Sequence, residues 1–181
     1  MSELSELITL AATLRTVAES VERYLESDSE RHILAEQIES LDIESGRQLR
    51  AFTRWLDDSD TPPERRADVL AIATMLRASA TVAASAIGRP RRRGATQRPL
   101  PSTTRARALV AVAARIEDAL REVGNPDVVL ALRREVRAPW RRSGDSYGRM
   151  DHALDRSRHA GLALERLSTP AVLAWSAATE G

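Results

Sequence analysis

The sequence predicts an all-α protein: a bundle of six to eight helices in two packed lobes, joined by a basic linker. Hydrophobic residues make up 43% of the 181 residues but aromatic residues only 3%, so the core must consist of Leu, Ile, Val and Ala. That composition favours helices over sheets. Apolar residues also recur every three or four positions, and no stretch alternates with the period of two that is typical of strands. We therefore expect no β-sheet.

The first predicted element is a long amphipathic helix near the N-terminus. Its apolar residues alternate steps of three and four, as in the seam of a coiled coil. They are Leu4, Leu7, Ala11, Leu14, Ala18, Val21 and Leu25. Since such a face must be covered, it packs either within the chain or against a helix of a partner.

Three further predicted helices complete the first lobe. Ser27 and Glu30 have the spacing of a capping box, which predicts the start of a second helix. We expect this helix to break near Asp42–Gly46, with a further helix after the break. Thr61, followed by two prolines and a glutamate, predicts the next start with Thr61 as the N-cap. That helix continues to Ile87, where a glycine and then a proline end it.

The two predicted lobes are residues 1–87 and 102–181. Residues 88–101 separate them and contain three prolines, two glycines and five arginines. This composition is typical of an extended, basic linker.

The second lobe has its own helix signals. Ser102 or Thr103 starts one helix, and Asn125, followed by a proline, caps the next. A helix through Met150 comes after a loop. Thr169, again followed by a proline, predicts the start of a short last helix.

Charge is distributed unevenly along the chain. Residues 1–87 contain 9 arginines and 16 acidic residues, whereas residues 88–181 contain 18 arginines and 10 acidic residues. A one-sided positive field attracts polyanions, which makes it the main functional clue. Every basic residue apart from the histidines is arginine. The planar guanidinium suits phosphate, but the codon usage of a GC-rich genome also accounts for the choice of arginine over lysine.

Two arginine-rich segments and the arginines that start the second lobe are the candidate nucleic-acid-binding residues. Trp140 is a candidate for stacking on bases, while the arginines would contact phosphates. The alternative is that the linker is merely solvated, that the arginines pair with the acidic half, and that Trp140 packs inside the protein. The candidates are Arg89, Arg91, Arg92, Arg93, Arg98, Arg105, Arg107, Arg133, Arg134, Arg137, Trp140, Arg141 and Arg142.

This organisation resembles that of the small subunits of CRISPR effector complexes. The resemblance is carried by two helical lobes, the absence of a catalytic motif, and the basic stretches Arg89–Arg98 and Arg133–Arg142. It implies an all-helical, non-catalytic subunit of a ribonucleoprotein with a role in antiviral defence. Such subunits hold nucleic-acid strands with basic residues. No defining motif links individual residues to that family.

From these observations we expect a non-catalytic architectural subunit that binds the backbone of RNA or DNA without sequence specificity. Its other expected partners are protein subunits, including copies of itself stacked head to tail. We expect no cofactor, no metal, no membrane association and a cytoplasmic location. His152, Asp155 and His159 share one helix face, but we interpret them as a polar stripe rather than metal ligands.

Two other functions remain open at this point. One is a helical protein–protein adaptor or antitoxin-like partner without a nucleic-acid role, in which the N-terminal seam docks on another chain. The other is a DNA-binding regulator with a helix-turn-helix within residues 28–57. The acidic character of that segment before Arg47 argues against it.

Overall fold

The computed structural model describes residues 3–87, 101–138 and 148–179, with side chains described up to residue 167. Within these ranges the chain forms six α-helices and no strand, which confirms the predicted all-α fold. The helices are α1 (Glu3–Glu26), α2 (Arg31–Asp57), α3 (Pro63–Ala86), α4 (Thr103–Arg121), α5 (Pro126–Arg137) and α6 (Arg149–Thr179).

The start of α5 forms as the sequence predicts. Asn125 Oδ1 accepts a hydrogen bond from the backbone N–H of Asp127 at 3.1 Å, and Pro126 occupies the first turn of the helix. Just before it, Gly124 has a φ of 96°, a left-handed conformation that residues with a side chain rarely adopt. Gly124 and Asn125 together therefore account for the tight turn between α4 and α5.

The predicted break near Asp42–Gly46 is wrong, because α2 continues through it. Gly46 is buried, and a Cβ atom at this position would lie 3.2 Å from Arg77 Nη2. The guanidinium of Arg77 crosses from α3 and lies 2.8 Å from Asp42 Oδ1. The glycine thus makes room for an interhelical ion pair instead of ending the helix. The uninterrupted α2 also excludes the helix-turn-helix hypothesis for this segment.

Two predicted caps form differently from the expectation. Thr61 does not cap α3, whose N-cap is the following proline; its hydroxyl donates to Glu3 Oε1 at 2.8 Å because that carboxylate lies beside it. The Ser27 hydroxyl accepts a hydrogen bond from the Glu30 amide at 3.3 Å, which is half of the predicted box. The Glu30 carboxylate accepts from Arg23 instead of returning to Ser27.

The prediction of a separate last helix is also wrong. α6 is a single helix from Arg149 to Thr179 that passes through Thr169 and Pro170. A proline inside a helix removes one backbone N–H donor and bends the helix, but it does not have to end it.

One hydrophobic core joins the two halves of the chain. α1 packs on α4 and α3 packs on α6, while α1 also contacts α2 and α3. Leu14 of α1, Leu76 of α3 and Ile116 of α4 are fully buried in the same cluster. Most of the predicted N-terminal seam is therefore covered inside the chain, which was one of the two options for it. The predicted lobes share this core.

The central helix α3 is apolar along most of its length. Its 24 residues are long and apolar enough, by length and composition, to cross a membrane. Here the helix packs against α1, α2 and α6. Its residues Ile72, Ala73, Leu76, Ala80 and Ala83 are buried in the shared core. The core helix of a soluble protein passes the same test of length and composition.

Candidate nucleic-acid interface

The described candidate residues lie on two helices. Arg105 and Arg107 are in the first turns of α4, and Arg133, Arg134 and Arg137 are on α5. The other candidates lie outside the described residues; they are Arg89, Arg91, Arg92, Arg93, Arg98, Trp140, Arg141 and Arg142.

Arg105 points into the protein. Its Nη1 lies 3.0 Å from Oδ2 of Asp151, and both side chains are largely buried. The backbone N–H of Gly148 donates to the same carboxylate oxygen at 3.0 Å. Arg105 therefore joins the start of α4 to the first turn of α6, and its charge is matched inside the fold.

Arg107 joins the two halves of the chain at the surface. Its Nε donates to Glu22 Oε1 at 2.8 Å and its Nη2 donates to Glu26 Oε1 at 2.6 Å. The hydrogen bonds that Arg107 donates to these two carboxylates, together with their negative charges, raise the pKa of its guanidinium. One arginine with two glutamates has a net charge of −1, so this site does not favour phosphate. Arg107 pairs with the acidic half, as the alternative interpretation of the arginines expects.

The arginines of α5 have the opposite local balance. Arg133 Nε lies 3.0 Å from Glu165 Oε1 of α6, and Arg137 Nη2 lies 3.2 Å from the same oxygen. The Glu165 side chain is 9% exposed, whereas those of Arg133 and Arg137 are 50% and 56% exposed. Two arginines with one glutamate sum to +1. The carboxylate is therefore buried beneath two guanidinium groups that still face solvent.

Positive charge also collects at the C-terminal end of α5. Arg134 is exposed in the last turn beside Arg137. From α6, Arg158 Nη2 donates to the carbonyl oxygen of Ala138, the C-cap of α5, at 2.7 Å. Cations at this end of a helix complement its partial negative charge. We call Arg133, Arg134 and Arg137 the α5 basic face.

Close packing of α5 on α6 supports this face. A Cβ atom at Gly161 of α6 would lie 2.5 Å from Val136 Cγ1 and 3.3 Å from Leu132 Cδ1. Both of these α5 residues are buried. Because Gly161 has no side chain, α5 can lie near enough for its arginines to bond Glu165.

The fold separates the candidates into distinct places. Asp151, the partner of Arg105, and Glu165, the partner of the α5 arginines, are 14 positions apart on α6, which corresponds to about 21 Å along the helix. The described candidates thus do not form one continuous site. The α5 basic face is the part with an excess of positive charge.

Two residues of this site were not among the sequence candidates. Glu165 and Arg158 stand in an arginine-rich sequence, and Glu165 is one of the few acidic residues there. This scarcity of acidic residues was the one feature of the sequence that could have pointed to Glu165. Its burial under Arg133 and Arg137 depends on how α5 packs on α6, which periodicity does not specify.

The polar stripe on α6 contains no metal site in the described part of the chain. His159 Nδ1 lies 2.7 Å from the carbonyl oxygen of Asp155 within the same helix. No group of three or more His, Asp or Glu side chains that could hold a metal is found among the described residues.

No family model matches the chain, and no curated protein is significantly similar to it.

Proposed function

We propose that this chain is a non-catalytic architectural subunit that binds nucleic-acid backbone without reading its sequence. The main observation behind this proposal is that the buried Glu165 carboxylate contacts Arg133 and Arg137 of α5, whose side chains remain about half exposed. A guanidinium has five N–H donors in a planar fork, so donors remain for a phosphate after the contact with Glu165. Side chains already held in place lose less freedom when they bind.

The spacing of the α5 basic face suits an extended polyanion. Arg133 and Arg137 are one helical turn apart, about 6 Å along the axis, and Arg134 continues the exposed positive surface beside them. Contacts to phosphate fix the position of a strand but carry no sequence information. We therefore propose binding that depends on charge and salt, with RNA and DNA as alternative ligands.

The larger context is part of the same proposal. The resemblance to CRISPR small subunits supports a place within a ribonucleoprotein, in the cytoplasm and beside other protein subunits. The adaptor is the second candidate. Because the N-terminal seam is mostly buried within the chain, an adaptor would have to use another surface, and the exposed isoleucines of α2 are the observation that favours it.

Fluorescence anisotropy tests the nucleic-acid proposal. The variant Arg133→Ala/Arg134→Ala/Arg137→Ala is titrated against single-stranded RNA, single-stranded DNA and duplex DNA at several salt concentrations. For single strands each phosphate contact contributes about −0.7 to the slope of log affinity against log salt, so losing three contacts should flatten the slope by about 2. The loss should be equal for strands of different sequence.

A matched control removes three other exposed arginines, Arg23, Arg65 and Arg115, whose side chains are between 50% and 66% exposed. This control lowers the net charge equally but leaves α5 intact, so its slope should stay near that of the wild type. Equal slopes for the α5 variant and the wild type would show that the α5 basic face is not the nucleic-acid-binding site. Absence of any binding by the wild-type protein would reject the nucleic-acid function and favour the adaptor.

A further inference from the structure

α2 presents an outward face that its neighbouring helices leave uncovered. Among the described helices it contacts α1 and α3 alone, through residues such as Leu34, Ile38 and Phe52. On the opposite side Ile33 is 67% exposed and Ile43 is 50% exposed. Large apolar side chains exposed on one helix face are typical of an interaction surface.

The charges of this face are sorted along the helix. With about 100° between successive residues, one stripe lies within about 40° of Ile43 on the helix surface. Its acidic members precede Ile43 and its arginines follow it. The α2 stripe consists of His32, Glu36, Glu39, Ile43, Arg47, Arg50 and Arg54.

When the stripe is paired with a second stripe that runs in the opposite direction, its acidic residues stand opposite arginines. Glu36 and Arg50 are each seven residues from Ile43, or about 10.5 Å along the helix. Glu39 and Arg47 are each four residues from it, or about 6 Å. In an antiparallel pair of helices related by a twofold axis, residues at equal distances on opposite sides of the axis face each other.

We propose that the α2 stripe binds the α2 stripe of a second copy of this chain, antiparallel, with the twofold axis beside Ile43. Glu36 then faces Arg50 of the second copy, and Glu39 faces Arg47. Each of these pairs occurs twice by symmetry, and the two copies of Ile43 meet at the centre. A parallel arrangement would place like charges together and is disfavoured.

The polar contacts that His32 and Arg47 make within α2 do not oppose this contact. His32 Nε2 lies 3.2 Å from Glu36 Oε1, and Arg47 Nη1 lies 3.4 Å from Glu44 Oε2, all within one helix and at exposed positions. Exposed pairs of this kind contribute little, so they can be exchanged for contacts across the axis. The same reasoning predicts a modest affinity that falls as salt increases.

This self-association is independent of the proposed nucleic-acid function, because it uses α2 rather than α5. It also differs from head-to-tail stacking of acidic on basic lobes, which would give open chains of copies. A twofold contact closes after two copies. The expected species is therefore a dimer and nothing larger.

Sedimentation velocity at low salt and without nucleic acid tests the proposal by charge reversal. Glu36→Arg/Glu39→Arg and Arg47→Glu/Arg50→Glu should each weaken the dimer at least about tenfold, because four attractive pairs become repulsive. An equimolar mixture of the two variants should form a heterodimer again. As a control, Glu64→Arg/Asp68→Arg reverses two exposed charges at the start of α3 and should leave the dimer unchanged.

A cysteine cross-link tests the position of the axis. The chain has no cysteine, so Ile43→Cys introduces a single thiol, which should form a disulfide between copies under mild oxidation at low salt. Val123→Cys, at a position 48% exposed in the turn after α4, should not. A wild-type monomer at every concentration, species larger than a dimer, charge-reversed variants that still dimerise alone, or a mixture that stays monomeric would each overturn the proposal.

Discussion

Replacing Gly161 with alanine should loosen the contact between α5 and α6 on which the α5 basic face depends. The new Cβ atom would lie 2.5 Å from Val136 Cγ1, whereas carbon atoms pack at about 3.5–4.0 Å. Relief requires a shift of roughly 1 Å or more. Val136 is β-branched with one strongly preferred rotamer in a helix, so its methyl group cannot easily turn away. The helix itself must move.

Two opposing effects set the size of the change. Alanine is better than glycine in a helix by about 1 kcal/mol, and overpacking a core costs about 1–3 kcal/mol. The cost of overpacking should exceed the gain in helix propensity, because the contact involves a buried, stiff side chain. We expect the free energy of unfolding to fall by up to about 2 kcal/mol. The same movement should lengthen the 3.0 Å and 3.2 Å contacts of Arg133 and Arg137 with Glu165.

Urea denaturation followed by circular dichroism measures the effect. Gly46→Ala is the matched control, because its Cβ atom would meet the flexible end of Arg77 at 3.2 Å rather than a stiff methyl group. We expect that variant to change stability by between zero and about 1 kcal/mol in the stabilising direction. Val136→Ala should partly rescue Gly161→Ala. If Gly161→Ala stabilises the protein as much as Gly46→Ala does, the reasoning from close packing is wrong.

Three other predictions test separate contacts. Leu14→Asp places a charge at a fully buried position and should cost several kcal/mol, seen as a large drop in Tm; an unchanged Tm would show that this face is not buried. Burial alone would raise the pKa of Glu3, but hydrogen bonds from Arg65 and Thr61 and the charge of Arg65 lower it overall. The wild type should therefore be more stable than Glu3→Gln above the unfolded-state pKa of about 4.3, and the two should converge as pH falls through the lower folded-state pKa, whereas a pH-independent difference would contradict this. Arg107→Ala should leave the salt dependence of nucleic-acid binding unchanged, and a flatter slope would return Arg107 to the binding site.

Much of the fold followed from local patterns in the sequence. The helical period of the apolar residues predicted the all-α class, and Asn125 with Pro126 predicted the start of α5. Two of the errors arose where a tertiary contact overrode a local signal. Gly46 resembles a helix end in sequence, but in the fold it gives space to Arg77. Thr61 resembles an N-cap, but Glu3 lies beside it and accepts its hydrogen bond.

The candidate site was predicted less completely. Clustering of arginines selected Arg133, Arg134 and Arg137, which do form an exposed basic face. It equally selected Arg105 and Arg107, whose charges are matched by Asp151 and by two glutamates of α1. A count of charges along the chain treats these arginines alike, because it contains no information about which carboxylates approach them.

The sequence by itself determined the helical class, most helix starts and the separation of acidic from basic halves, since each of these depends on neighbouring residues or on composition. Only the tertiary structure decided which charges remain available. Arg107 meets Glu22 across 85 positions, and Arg137 meets Glu165 across 28. Such pairs depend on the packing of the hydrophobic faces of the helices, because that packing brings distant side chains within a few ångströms of each other.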